Sequence, residues 1–111
     1  MYKGTIKGNQ AGGRGGAFCV ENIKSGGTGS DNDTRLYIYG GKITQNLCKN
    51  DGNTSTAGMK ALGGGIYLGA NAKCWIEGGV IDQNKTFATN SSSSAVSYGG
   101  GIYTESLFAL S

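Results

Sequence analysis

Few side chains in this 111-residue sequence combine the type and the spacing that chemistry needs. The segment GGTGSDND, Gly26 to Asp33, matches the first six places of the calcium-binding Gly-Gly-x-Gly-x-Asp nonapeptide. Its eighth place is Asp33, where that pattern has an apolar residue, and a single copy leaves the coordination sphere incomplete. Asp31 and Asp33 are weak oxygen ligands for a cation at most. A polar loop is the simpler reading, and neither a metal nor another cofactor is expected. An inverting glycosidase needs two carboxyl groups roughly 6.5–9.5 Å apart. Glu77 with Asp82 is the one pair worth measuring for that purpose, and Glu105 shares a repeat position with neither. The sequence has no histidine, so a serine or cysteine nucleophile has no imidazole base. Cys19, Cys48 and Cys74 lack CxxC spacing and cannot complete a zinc site. Free, mostly buried thiols are expected, with one disulfide and a leftover thiol as the alternative. No catalytic constellation is visible, which leaves aromatic rings and loops as the recognition chemistry.

Charge and hydropathy exclude several partners. Ten basic and seven acidic residues give a net charge of +3, and no basic run is long enough to grip nucleic acid. The single Arg-Gly-Gly at Arg14 to Gly16 is one copy of a motif that works through many. No stretch of about 18 apolar residues exists to span a membrane, and the first residues, MYKGTIKGNQ, contain no apolar signal core.

The chain has 22 glycines and no proline. Collagen is excluded because the glycines follow no three-residue period, and disorder fits poorly with 37% hydrophobic residues whose apolar positions recur in register. The recurrence is an internal repeat. Gly-x-Ile-x-x-Asn occurs at Gly4 to Asn9, Gly41 to Asn46 and Gly79 to Asn84. A glycine run followed by an apolar and an aromatic residue occurs as RGGAF from Arg14 and as GGGIY from Gly63 and Gly99. Between them stand LYIYGG from Leu36 and CWIEGG from Cys74, and FALS from Phe108 matches their first four places.

Each piece is short, alternates apolar with polar residues and is bounded by glycine or asparagine, the pattern of a short strand. Thr56 to Leu62 is the nearest approach to a helix, one turn at most. Three short strands in each of three repeats, approximately 1–39, 40–77 and 78–111, predict an all-β fold. The architecture expected is a right-handed single-stranded parallel β-helix, a solenoid of about three coils forming one domain. Equal places should then stack as ladders: Ile6, Ile43 and Ile81; Ile38, Ile76 and Leu110; Ala17, Ile66 and Ile102; Leu36, Cys74 and Phe108. Asn9, Asn46 and Asn84 should stack at one corner, their amides bonded to each other or to the turn backbone. Alternation sends Phe18, Tyr67 and Tyr103 outward on one face and Tyr37 and Trp75 outward on another, where rings could stack on sugars. Variable loops are expected at 20–35, 47–62 and 85–98.

These motifs resemble the glycine-rich right-handed parallel β-helix repeats of bacterial surface proteins: adhesins, autotransporter passenger regions and polymorphic outer-membrane proteins. Gly15-Gly16-Ala17-Phe18, Gly64-Gly65-Ile66-Tyr67 and Ile81-Asp82-Gln83-Asn84 are similar to the repeated tetrads of the last family. The resemblance implies a non-catalytic stalk or adhesive surface, extracellular or at the cell surface, binding carbohydrate or a host or cell-surface protein. The same coil also carries pectate-lyase-like enzymes, so a polysaccharide-processing fragment is the alternative. Uncapped terminal coils imply either a segment of a longer protein or head-to-tail self-association.

Overall fold

The computed structural model describes residues 1–21, 34–50, 60–69, 72–89, 96–105 and 109–110. No helix occurs among them, and the chain is all-β. The first repeat supplies β1 (Thr5–Lys7), β2 (Gln10–Ala11), β3 (Phe18–Val20) and β4 (Thr34–Ile38). The second supplies β5 (Lys42–Thr44), β6 (Leu47–Asn50), β7 (Lys60–Leu62), β8 (Ile66–Leu68) and β9 (Ala72–Ile76). The third supplies β10 (Val80–Asp82), β11 (Lys85–Ala88), β12 (Val96–Tyr98), β13 (Ile102–Thr104) and β14 (Ala109–Leu110).

These strands form several short parallel sheets. Four are three-stranded, ordered β1-β5-β10, β2-β6-β11, β3-β8-β13 and β4-β9-β14, and a fifth pairs β7 with β12. Each three-stranded sheet takes one strand per repeat and keeps the second repeat in the middle. Arg14 adds a lone parallel bridge to Leu62 beside the fifth sheet. Parallel pairing uses nearly every strand N–H, and the absence of proline is consistent with that demand.

Registration sets the core. Ile43 stands opposite Ile6 and Ile81, and Ile76 opposite Ile38 and Leu110. Ile38, Ile43, Ile66, Leu68, Ala72, Cys74 and Val20 form the buried cluster, with Phe18, Ile81 and Ile102 packed against it from the outer repeats. Burying one such branched side chain contributes about 1.5–3 kcal/mol. The middle repeat is covered from both sides, so Ile43 and Ile66 are sealed while Ile6, Ile81 and Ile102 are only half-buried.

Three expectations need correction. Each complete repeat carries five strand places rather than three, because the ends of the loops expected at 47–62 and 85–98 pair in register: Leu47 with Lys85 and Lys60 with Val96. Lys60–Leu62, the end of the segment granted a helical turn, is strand. Phe18, not Ala17, lies opposite Ile66, and Cys19 takes the place opposite Tyr67. The reason is a glycine of positive φ that opens each copy, Gly15, Gly63 and Gly99. Counted from it, Ala17 occupies the third glycine's place, and Ala17 and Phe18 both donate to the Gly65 carbonyl. Phe108 lies outside the described residues.

The asparagines make a continuous polar spine. Asn46 Oδ1 accepts from the Asn9 backbone N and Asn9 Nδ2, each at 3.0 Å. Asn46 Nδ2 donates to Asn84 Oδ1 at 2.9 Å and to the Ile6 carbonyl at 3.1 Å. Asn84 repeats the pattern, its Nδ2 donating to the Ile43 carbonyl at 3.0 Å. Immediately before each asparagine the backbone is left-handed: Gly8 at φ 72°, Gln45 at 56° and Gln83 at 53°. Glycine adopts this region freely, whereas a residue with a Cβ meets a steric cost of about 1–2 kcal/mol.

Candidate binding surface

The outward places of β4 and β9 build a strip of side chains by period-two alternation. Arg35 and Tyr37 are exposed on β4, Lys73 and Trp75 on β9, and the register sets Tyr37 opposite Trp75. The alternation continues one step past β4 to Tyr39. The N-terminal residues run beside it, the Tyr39 amide donating to the Met1 carbonyl at 2.7 Å. That pairing lays Tyr2 on Tyr39 with ring centroids 4.9 Å apart, and Tyr37 lies 6.1 Å from Tyr39 with nearly parallel planes. Tyr2 is 76% exposed, Trp75 49%, and Tyr37 and Tyr39 38% each, so the four rings present solvent-accessible apolar area beside polar edges. Desolvation by its neighbours, then Tyr2 and Glu77, push the Tyr39 phenol up. Such rings can stack on the C–H faces of a saccharide while hydroxyls bond its rim.

The other expected aromatic face is used internally. Tyr67 points outward by alternation yet is only 2% exposed. Tyr103 stacks on it at 5.8 Å, the Arg14 guanidinium lies 5.3 Å from its ring centroid, and its hydroxyl donates to Glu105 Oε2 at 3.1 Å. Arg14 is itself ion-paired to Glu21. Tyr67 therefore cannot serve as an exposed platform, and Phe18, drawn inward by the register shift, cannot either. Tyr103 is half-buried, with Tyr98 stacked against it at 6.4 Å. Of the five aromatics expected to bind, the structure keeps Tyr37 and Trp75 together in the open and adds Tyr2 and Tyr39.

Burial and then the Glu105 hydrogen bond push the Tyr67 phenol up to about 12. An unfolded tyrosine titrates near pH ~10, so the folded chain holds this proton more tightly than the unfolded one. The stability it contributes is intact below about pH 10 and is lost as pH rises toward 12. Tyr67→Phe is expected to flatten that alkaline loss, read from urea midpoints between about pH 9 and pH 12.

The two carboxylates considered for glycosidase chemistry lie on successive segments, Glu77 just past β9 and Asp82 within β10. Asp82 sits in β10 opposite Thr44, and Asp82 Oδ1 and Thr44 Oγ1 are buried without a hydrogen-bond partner. Glu77 follows β9, its backbone N bonded to the Ile38 carbonyl. Among the described residues, no group of three or more His, Cys, Asp or Glu side chains could hold a metal ion. Asp31 and Asp33 lie outside the described residues. Cys48 and Cys74 are buried free thiols and Cys19 is an exposed one; burial first, then Glu21, pushes the Cys19 thiol up. No helix among the described residues is long and apolar enough to cross a membrane.

A groove of about 510 Å³ lies at the asparagine corner, lined by Gln45, Asn46, Leu47, Gln83 and Lys85. Nothing in the sequence reading singled out these glutamines. The available signal was their replacement of Gly8 at the left-handed place.

No family model, curated protein or solved structure matches the chain.

Proposed function

We propose that the chain is a non-catalytic segment of a right-handed parallel β-helix belonging to a bacterial cell-surface or secreted protein, and that it binds saccharide through the aromatic strip. The observation that carries the binding role is the in-register exposure of Tyr37 and Trp75, extended by Tyr39 and Tyr2. The solenoid reading is supported by sheets that each take one strand per repeat in the same spatial order. It is supported too by offsets of 37 and 38 residues held in two sheets. Right-handedness is the hand that parallel crossovers take in about 98% of cases. Placement at a bacterial surface rests on the resemblance of the glycine and asparagine motifs.

The test is retention on a panel of immobilised polysaccharides. Trp75→Ala is expected to cut retention at least about tenfold, the effect of losing one central aromatic anchor. Phe87→Ala, which removes an exposed ring away from the strip, should leave retention unchanged. Equal retention of Trp75→Ala and the parent would remove the aromatic site.

A further inference from the structure

We propose that the groove at the asparagine corner is a separate binding site for a carboxylate-bearing saccharide, with Gln45, Gln83 and Lys85 as its polar contacts. Three observations converge on it. The groove's volume, about 510 Å³, falls within the roughly 300–1,000 Å³ typical of small-ligand sites. Both glutamines occupy left-handed backbone, at φ 56° and 53°, where the first repeat uses Gly8. Glycine would serve the turn without strain, and residues held in sparsely populated backbone regions gather at binding sites. Among the described residues, the one side-chain bond the glutamines gain for the fold is exposed, Gln45 Nε2 to Gln83 Oε1 at 3.2 Å. That is poor compensation for strain at two positions.

The remaining chemistry selects the ligand. The Gln45–Gln83 bond aligns two amides and leaves the Gln45 carbonyl oxygen and the Gln83 amide nitrogen to accept from and donate to sugar hydroxyls. Lys85 is exposed on the same wall, opposite Leu47 in the register, and makes no ion pair among the described residues. It supplies one positive charge where a carboxylate would sit, and Leu47 supplies an apolar patch. Asn46 contributes only shape, because its amide is consumed by the polar spine. The site lies on different strands from the aromatic strip and does not depend on it.

The experiment titrates a glucuronic-acid oligosaccharide, and its neutral glucose counterpart, into the isotope-labelled chain. Saturable shifts at Gln45, Leu47, Gln83 and Lys85 are expected with the acidic probe, at an affinity roughly tenfold above the neutral one because a charged hydrogen bond is gained. Lys85→Gln should erase that preference. The double variant Gln45→Gly, Gln83→Gly is the decisive one: its urea midpoint should equal or exceed the parent's, while its affinity falls at least about tenfold. Unchanged affinity in the double variant, or a lowered midpoint showing that the glutamines serve the fold, would overturn the proposal. Failure of the acidic probe to saturate would overturn it as well. Shifts confined to Tyr37 and Trp75 would overturn it while favouring the aromatic strip, and Trp75→Ala should leave the groove's affinity intact.

Discussion

Replacing Asn46 with alanine is expected to destabilise the chain by about 3–4 kcal/mol, since it removes four side-chain hydrogen bonds from a buried site. The residue is 1% exposed, and its amide is spent in both directions, accepting from Asn9 and donating to Ile6 and Asn84. Alanine leaves the Asn9 amide and the Ile6 carbonyl without this partner, in a position that only the outer repeats shield. Single domains hold about 5–15 kcal/mol of stability, so the loss is a large fraction of the whole. Asn9→Ala, at an exposed end of the same spine, is expected to cost about 1 kcal/mol. Asn46→Asp should be at least as damaging as alanine, because it removes both Nδ2 bonds and buries a charge. Urea unfolding at constant slope measures all three. A midpoint for Asn46→Ala no lower than that for Asn9→Ala would refute the spine's role.

The second large effect is expected from Gly64→Ala, which should cost more than about 3 kcal/mol and disrupt the joining of the second and third repeats. A Cβ at this position would overlap the carbonyls of Gly100 and Lys85. Both belong to backbone, so no side chain can swing aside. Gly64 N also donates to the Gly99 carbonyl at 2.9 Å, and Ile66 N to Gly101 at 2.9 Å. Relief of the overlap must therefore stretch the ladder that holds the repeats together. Gly12→Ala is the matched control: nothing lies within 4 Å of a Cβ there, and a change within about 0.5 kcal/mol is expected. Thermal unfolding followed by circular dichroism separates the two. Amide exchange should locate the loosening at β8 and β13, and similar melting of both variants would count against the close approach.

What could be read from the sequence was the part written in equal spacing. The Ile6, Ile43 and Ile81 ladder and the asparagine corner each recur at 37 and 38 residues, and identical side chains at a constant offset have one way to stack. Phe18 was misplaced because Ala17 stands where the other copies have a third glycine, so an alignment by chemical type slips by one residue and reverses the face. Tyr67 exposes a different limit. Alternation states which way a side chain points, whereas its burial is decided by Arg14 and Tyr103, which are 53 and 36 residues away in the chain. Tyr2 had no local signal, since its place depends on backbone pairing between Met1 and Tyr39. The short strands β6, β7, β11 and β12 were hidden for a related reason: three or four residues at the edges of polar segments carry too little periodicity to stand out.

The asparagine spine also has a direction. Between asparagines, the backbone N and Nδ2 of Asn9 and of Asn46 donate to the side-chain oxygen of the next repeat's asparagine, while Nδ2 of Asn46 and of Asn84 also donates to a backbone carbonyl of the repeat before. A further repeat of about the same length fits such a spine only in one orientation, with its own asparagine in phase. For the gene, this makes tandem duplication of a whole unit a structurally conservative event, while inversion or a partial duplication is disruptive. In the solenoid proposed above, added units would lengthen the chain in whole steps along that direction.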